Sequence, residues 1–182
     1  MLAIADRNAE HGCSMNSTSG AAEAYQGLSV NARLVVALET TERLCETLSL
    51  SDPTLDELIE HLWGWLVVDA SGFNEWHDFE NPILDAALGD PVPEEFRATA
   101  VAARLDEPQA RRWITGLVEI VYGHLFGAID HAATQQWLAD VLEVASDNGI
   151  RPNDPANYEM FGSRQDGDGW GTKVRLDEVT AW

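Results

Sequence analysis

The sequence predicts a mainly α-helical protein, a bundle of five to six helices with a small C-terminal β-hairpin. Apolar residues recur at steps of three and four between about residues 29 and 148, which is the period of amphipathic helices. Proline flanked by acidic residues stands before several of these segments, as it does at helix N-termini. After Pro152 and Pro155 the pattern changes to a strand-like alternation, which predicts the hairpin at about 156–180.

A single globular domain over residues 21–182 accounts for most of the 182 residues. Residues 1–20 are rich in Ser, Asn, Gly and Ala without periodicity, which predicts a flexible tail. Met15 is a second candidate start, so the sequence leaves open whether residues 1–14 belong to the native protein. The N-terminus lacks the basic and apolar regions of a signal peptide, and no apolar run approaches a membrane span. We therefore expect a cytoplasmic protein with reduced cysteines.

The first two helices are the most clearly patterned. One helix is predicted over about 29–49 and a second over about 53–69. Asp52 is positioned to cap the second helix, and Pro53 suits its first turn. The last two turns of the second helix are apolar on nearly all sides, which predicts that it is the most buried helix.

The helical period and the residues typical of helix starts also predict the remaining helices of the bundle. Asp106 is another candidate cap, and Asn148-Gly149 is a stop signal. Three glycines after Asp106 would allow close approach of a neighbouring helix, namely Gly116, Gly123 and Gly127. The predicted segments are a loop or short helix at 69–82, a short helix at 82–88, and helices at about 93–105, 107–127 and 131–147.

The charge balance defines the expected partners. The formal net charge is −20, from 31 acidic and 11 basic residues. Proteins bind nucleic acid by neutralising phosphates with Lys and Arg, so direct nucleic-acid binding is not expected. An anionic membrane surface is disfavoured by the same sign, whereas a basic protein or a cation is complementary. Among the basic residues only Lys173 is a lysine, a bias that suggests a GC-rich bacterial genome.

Residues 44–96 contain no Lys or Arg but many carboxylates and aromatic rings. In a protein that captures a basic partner, charges steer the encounter and aromatic anchors supply most of the binding energy. Trp63 and Trp65 are two apart on a helix, so at least one of them is a candidate for a second interface. The alternative is a solvated acidic face above a core that contains both tryptophans. The predicted partner-binding residues are Asp56, Glu57, Glu60, Trp65, Asp69, Phe73, Glu75, Trp76, Asp78, Phe79 and Glu80.

These features favour a non-enzymatic acidic binding protein without a cofactor. The specific hypothesis is an immunity- or antitoxin-type inhibitor that occludes a basic bacterial toxin, such as a nuclease, by charge mimicry. One alternative is a metal-binding helical-bundle enzyme that uses His61, His77, His124 and nearby carboxylates, and another is a structural or scaffolding domain. No HExxH, GxSxG or phosphate-binding glycine loop is present. The sequence does not indicate the oligomeric state.

The stretch DGDGWGTKVRLD at 166–177 resembles a calcium loop only in part. Asp166 and Asp168 occupy ligand positions 1 and 3 of a twelve-residue loop, and Gly171 occupies position 6. Trp170 stands where position 5 needs an oxygen ligand, and the flanks are not helical in pattern. Glycine next to aspartate is also common turn chemistry, because both residues tolerate positive φ. We therefore predict a tight turn, with Asp166 and Asp168 as weak candidates for a cation site.

Overall fold

The computed structural model describes residues 22–173. The predicted tail at 1–20 lies outside this range, and so do the predicted strand residues beyond 173. Seven α-helices and two 3-10 helices lie entirely within residues 22–173. They are α1 (Val30–Leu48), α2 (Pro53–Trp65), α3 (Phe73–His77), α4 (Pro82–Ala87), α5 (Glu94–Ala102), α6 (Glu107–Tyr122), α7 (His131–Asp147), η1 (Pro155–Phe161) and η2 (Asp166–Gly169).

The prediction of a mainly helical fold is confirmed, and the hairpin prediction is wrong for the described part of 156–180. That part forms η1 and η2, and the β-type pairing found in 22–173 is one isolated bridge between Leu28 and Ser163. The chain curls at η2 because Gly167 and Asp168 have positive φ. The count of seven exceeds the predicted five to six because the short segments between α2 and α5 both fold as helices.

The helices begin where the sequence places their caps. The Asp52 carboxylate accepts hydrogen bonds from the backbone amides of Thr54 and Leu55 at the start of α2. Asp106 and Gln109 form a reciprocal capping box at the start of α6. These contacts satisfy amides that have no partner within the helix, so the helix boundaries are set locally.

Helix α1 forms the centre of the core. Its residues 30–38 are all buried, and α2, α6, α7 and η1 pack against it. The prediction that α2 is the most buried helix is therefore wrong. Helix α2 ends at Trp65, earlier than predicted, and Val67 and Val68 after it are only half-buried. Large side chains complete the core, among them Trp113, whose Nε1 donates to Thr41 Oγ1 at 3.0 Å.

Two of the three glycines that follow Asp106 permit close packing of α7, as predicted. A Cβ at Gly116 would lie 2.6 Å from the backbone oxygen of Trp137, and one at Gly123 would overlap the Trp137 ring. Gly127 has no neighbour within 4 Å of a built Cβ, so the prediction fails there. Helices α6 and α7 consequently pack closely along residues 116–123, and this pair supports one side of α1.

The C-terminal segment crosses the N-terminal end of α1. The Ser29 amide donates to Gly162 O at 3.1 Å, and the Asn31 amide donates to Trp170 O at 2.9 Å. Ser29 Oγ caps α1 by accepting from the Ala32 amide. Residues far apart in sequence thus satisfy the first amides of the central helix. Among the helices described, none combines the length and the apolar character needed to cross a bilayer.

Candidate functional site

The carboxylates of residues 44–96 are on the surface, with one exception. Every acidic residue in this stretch is exposed except Asp52, which is buried as the cap of α2. Among the ion pairs in the described part of the chain, two involve this stretch, Glu94 with Arg97 at 2.7 Å and Asp78 with His77 at 3.6 Å. Most of these carboxylates therefore carry negative charge that no nearby cation of residues 22–173 compensates.

A groove of about 730 Å³ runs between α1 and α2. Its floor and walls include Cys45, Leu50, Ile59 and Trp63, and no Lys or Arg lines it. The acidic residues that line it are Glu42, Glu46, Asp56 and Glu60. An apolar floor with a rim of carboxylates fits a cationic side chain with a long aliphatic stem, because such a side chain buries the stem and keeps its charge near the rim.

Helical spacing brings these carboxylates together. Glu42 and Glu46 are four apart on α1, and Asp56 and Glu60 are four apart on α2, so each pair lies on one face. A loop at 49–52 joins the two helices. Ser49 ends α1 with φ of 52°, and its amide donates to Glu46 O at 3.2 Å. This tight stop, followed by the Asp52 cap, sets the two acidic faces opposite each other across the groove.

Trp63 is the aromatic residue of the groove, and it is half-buried. Its Nε1 donates to Glu42 Oε1 at 2.9 Å, which holds the indole against α1. Desolvation raises the pKa of Glu42, the bond from Trp63 opposes this shift, and the neighbouring Glu39 and Glu46 raise the pKa further. A cation in the groove would relieve this repulsion, so the electrostatics favour a positively charged ligand.

A second groove of about 670 Å³ lies on the other side of Trp63. Two acids line it, Glu42, which is shared with the first groove, and Glu39. Glu39 has internal partners, since its Oε2 accepts from Tyr158 Oη at 2.6 Å and from Asn153 Nδ2 at 3.1 Å. Arg43 also lines this groove and donates to Arg151 O at 2.8 Å. The second groove therefore has less uncompensated charge than the first.

Cys45 provides no nucleophile in the first groove. Burial raises the pKa of its thiol to about 12, and Asp56 and Glu42 raise it further. The thiol consequently stays protonated at neutral pH, and the thiolate is the form that attacks an electrophile. This groove is suited to binding through charge and apolar contact.

The aromatic residues predicted to contact a partner lie mostly beneath the surface. Trp65 and Trp76 are buried, with ring centroids 5.0 Å apart, and Phe73 and Phe79 are half-buried. Trp65 Nε1 donates to Asn31 Oδ1 at 2.9 Å, which ties the end of α2 to α1. Trp65 and Trp76 thus support the surface from below, and Trp63 is the tryptophan of α2 that reaches it.

His61 is enclosed by this aromatic cluster. Its ring stacks between Trp76, at 4.5 Å, and Phe79, at 4.0 Å, and its Nε2 lies 2.8 Å from Tyr122 Oη. Desolvation lowers the pKa of His61 to about 4, so the ring is neutral at neutral pH. The surroundings are those of a packed, hydrogen-bonded side chain.

The predicted acids divide into two areas. Asp56 and Glu60 line the groove, whereas Glu57, Asp69, Glu75, Asp78 and Glu80 are exposed but do not line it. Asp69 caps the next turn by accepting from the amides of Ser71 and Gly72. Near α3 the exposed ring of Phe126 meets His77 edge-on at 5.3 Å. The structure therefore replaces one continuous predicted surface with a groove and a separate acidic area near α3.

The candidate metal ligands do not form a coordinating group. No set of three or more His, Cys, Asp or Glu residues in 22–173 is arranged to hold a metal ion. His124 Nε2 instead lies 2.7 Å from Thr134 Oγ1 and is buried there. Asp166 accepts from the Ser163 amide at 2.7 Å, and Asp168 is exposed in the left-handed conformation of a turn. Within the described part of 166–177 the chain turns tightly at η2 (Asp166–Gly169), which agrees with the predicted turn but not with a hairpin around it. The geometry lends the metal-enzyme alternative no support.

Sequence reasoning missed several residues of the groove. Glu42 lies outside the base-free stretch, and neither Glu46 nor Trp63 was among the predicted partner-binding residues. The four-residue spacing of Glu42 and Glu46 on α1, and of Asp56 and Glu60 on α2, is a sequence signal that could have grouped these acids.

Comparison of this chain with family models, with curated proteins and with solved structures finds no match.

Proposed function

We propose that this chain is a non-enzymatic acidic binding protein that captures a basic protein partner in the groove between α1 and α2. The observation that carries the proposal is a groove with four carboxylates on its rim, Trp63 in its wall and no basic residue lining it. The carboxylates attract and orient a basic segment, and Trp63 with the apolar floor supplies contact area. The net charge of −20 extends the attraction beyond the groove.

The biological role that fits this chemistry is inhibition of a basic bacterial toxin, such as a nuclease, in the cytoplasm. A surface of carboxylates presents to such a partner the charge that a phosphate backbone would present. Occupation of the nucleic-acid site by this surface would block the enzyme without any reaction on the inhibitor's side. The acidic area near α3 enlarges the surface available to the same partner.

The test compares two triple variants with the unmodified protein as bait in the source cell. One variant neutralises the groove through Glu46→Gln, Asp56→Asn and Glu60→Gln. The other neutralises the α3 area through Glu75→Gln, Asp78→Asn and Glu80→Gln. Each removes three exposed charges, so the two are matched in net charge. We expect a basic protein to be recovered by the bait and by the α3 variant, and to be lost with the groove variant.

The recovered partner is then purified, and its affinity is measured at rising salt concentration. Affinity should fall steeply with salt, because exposed charges are screened over about 10 Å at 0.1 M ionic strength. Addition of the acidic protein should also inhibit the partner's activity on nucleic acid. Recovery of no basic partner at low salt, or equal recovery by the groove variant, would overturn the proposed site.

A further inference from the structure

A pocket of about 420 Å³ lies on a different face from the acidic groove, and its charge is opposite. The pocket lies between the segment that precedes α1 and the first turns of α7. Arg33, Arg164 and His131 line it, and Glu23 is the one carboxylate among its lining residues. Two guanidinium groups in one pocket are unexpected in a chain with 31 acidic and 11 basic residues.

Arg33 is fully buried without a carboxylate partner among residues 22–173. Its Nη1 donates to His131 O at 3.1 Å and its Nη2 donates to Gln26 O at 2.9 Å, both backbone carbonyl oxygens. The ion pairs of the described residues include neither Arg33 nor Arg164. A buried charge is costly unless a counter-charge compensates it. Hydrogen bonds therefore compensate the buried positive charge of Arg33 only in part. No acidic side chain of residues 22–173 forms an ion pair with it.

Unsatisfied polar atoms concentrate at the same place. Within 22–173, four buried side-chain nitrogen or oxygen atoms lack a hydrogen-bond partner, and three of them belong to residues that line this pocket. These three are Arg33 Nε, His131 Nδ1 and Gln135 Oε1. Buried polar groups in native proteins are nearly always paired, so this concentration sets the pocket apart. The Arg33 Nε–H group is a donor that an anion can satisfy, whereas Gln135 Oε1 is an acceptor and needs a donor.

The local potential is positive. Desolvation lowers the pKa of Arg33 to about 10, and the nearby Arg164 lowers it further. Desolvation also lowers the pKa of His131, Arg164 and Arg33 lower it further, and Asp130 opposes these shifts. The pocket therefore disfavours a further positive charge and attracts a negative one. The start of α7 also borders the pocket, but the Asp130 carboxylate caps the Ala132 and Ala133 amides and offsets the positive end of the helix dipole there.

We propose that this pocket binds a small molecule through an oxyanion group, either a phosphate or a carboxylate. Arg164 is half-buried at the pocket and makes the direct charged contact, while the buried Arg33 supplies charge from behind the wall. A pocket of about 420 Å³ has room for a molecule larger than one phosphate ion. This site is independent of the acidic groove, and either one can exist without the other.

Thermal unfolding of the full chain tests this proposal with inorganic phosphate and acetate as probes, against chloride at equal ionic strength. The variant is Arg164→Gln, and the matched control is Arg104→Gln, which removes an exposed charge that does not line the pocket. A bound anion raises the melting temperature of the folded protein by mass action. Because phosphate also stabilises proteins generally by exclusion from their surface, the difference between the variants is the readout.

We expect phosphate or acetate to raise the melting temperature of the unmodified protein and of Arg104→Gln in the same saturable manner. Arg164→Gln should need about tenfold more of the anion for the same rise, the loss expected for one charge-assisted contact. The anion with the lower half-saturation then identifies the group as phosphate or carboxylate. An equal response of all three proteins, or no response to either anion, would overturn the proposal.

The ¹H–¹⁵N resonance of the Arg33 Nε–H group gives a second readout that does not depend on stability. Binding of an anion should shift this resonance saturably, with the half-saturation found in the unfolding experiment. A linear drift, or no shift at anion concentrations that change the melting temperature, would assign the thermal effect to general solvent exclusion and contradict the site.

Discussion

The ammonium group of Lys173 lies 4.1 Å from the centre of the Trp65 ring. The same Nζ donates to Trp65 O at 2.9 Å and to Val68 O at 2.6 Å. These carbonyl groups belong to the end of α2 and the turn after it, where the positive charge also opposes the negative end of the helix dipole. The contact ties the C-terminal end of the described chain to the base of the aromatic cluster.

Replacement of Lys173 by methionine should destabilise the protein by about 1 kcal/mol, since it removes the cation and both hydrogen bonds. Urea unfolding followed by circular dichroism measures the loss. Lys173→Arg keeps the positive charge and should lose less stability. An unchanged midpoint for Lys173→Met would show that the contact contributes nothing to stability in solution.

Gly116 provides a test of the α6–α7 packing. Gly116→Ala should destabilise the protein by up to about 2 kcal/mol. The new Cβ would meet the Trp137 backbone oxygen, and such overpacking costs about 1–3 kcal/mol, of which the gain in helix propensity offsets about 1 kcal/mol. Gly64→Ala is the matched control on α2, since its Cβ would meet Trp76 Cδ1 at an ordinary 3.6 Å.

Gly64→Ala should leave the free energy of unfolding unchanged or raise it by up to about 1 kcal/mol. Both variants are measured by chemical denaturation under one set of conditions. Equal stability of Gly116→Ala and Gly64→Ala would contradict the close approach of α7 to α6.

His61 should make stability depend on pH in the acidic range. Its pKa is about 4 in the folded protein and near 6.5 in the unfolded chain, so below pH 6.5 the unfolded chain binds the proton more readily. The stabilisation from His61 is therefore complete above pH 6.5 and is lost as the pH falls towards 4. The free energy of unfolding, measured by denaturation at several pH values, reports this loss.

His61→Phe is the comparison, because phenylalanine keeps the stack on Trp76 and Phe79 but has no titrating group. The stability of this variant should decline less than that of the unmodified protein between pH 6.5 and 4. Other groups titrate in both proteins, so the difference between the two curves isolates His61. Identical pH dependence would mean that His61 is not desolvated as the structure shows.

Glu42 offers a direct probe of the charge in the groove. Trp63→Phe should raise the pKa of Glu42, because it removes the indole hydrogen bond that favours the carboxylate. Glu46→Gln should lower the same pKa, because it removes a neighbouring negative charge. NMR titration of the Glu42 side-chain carboxyl carbon measures both changes in pKa. Shifts in the reverse directions would contradict the arrangement of charges described for the groove.

Local signals predicted the helical frame well. Asp52 and Asp106 cap the helices that their neighbouring prolines and acids indicate, and α7 spans the predicted residues. Caps and amphipathic period depend on residues within a few positions of one another, so they can be read from the sequence. The predicted hairpin is absent from its described part, 156–173. There Phe161 is buried in the core, and Gly162 and Trp170 accept hydrogen bonds from the start of α1, contacts that local pattern does not contain.

The candidate site was predicted only in part. The base-free stretch indicated an acidic surface, and Asp56 and Glu60 line the groove. Trp65 was one of four aromatic residues predicted as contacts, but it is buried, and Trp63 is the tryptophan that lines the groove. The period of a helix shows that the two rings point in different directions, but it does not show which direction faces the core.

The sequence by itself determined the helical class, the helix starts and the excess of negative charge, because each depends on residue types and their local spacing. Only the tertiary structure decided which carboxylates meet, which tryptophan is covered and where the buried charge of Arg33 lies. Those outcomes depend on how α1, α2 and α7 pack, which is set by burial of apolar area and by hydrogen bonds between distant segments. The acidic groove and the basic pocket are both products of that packing.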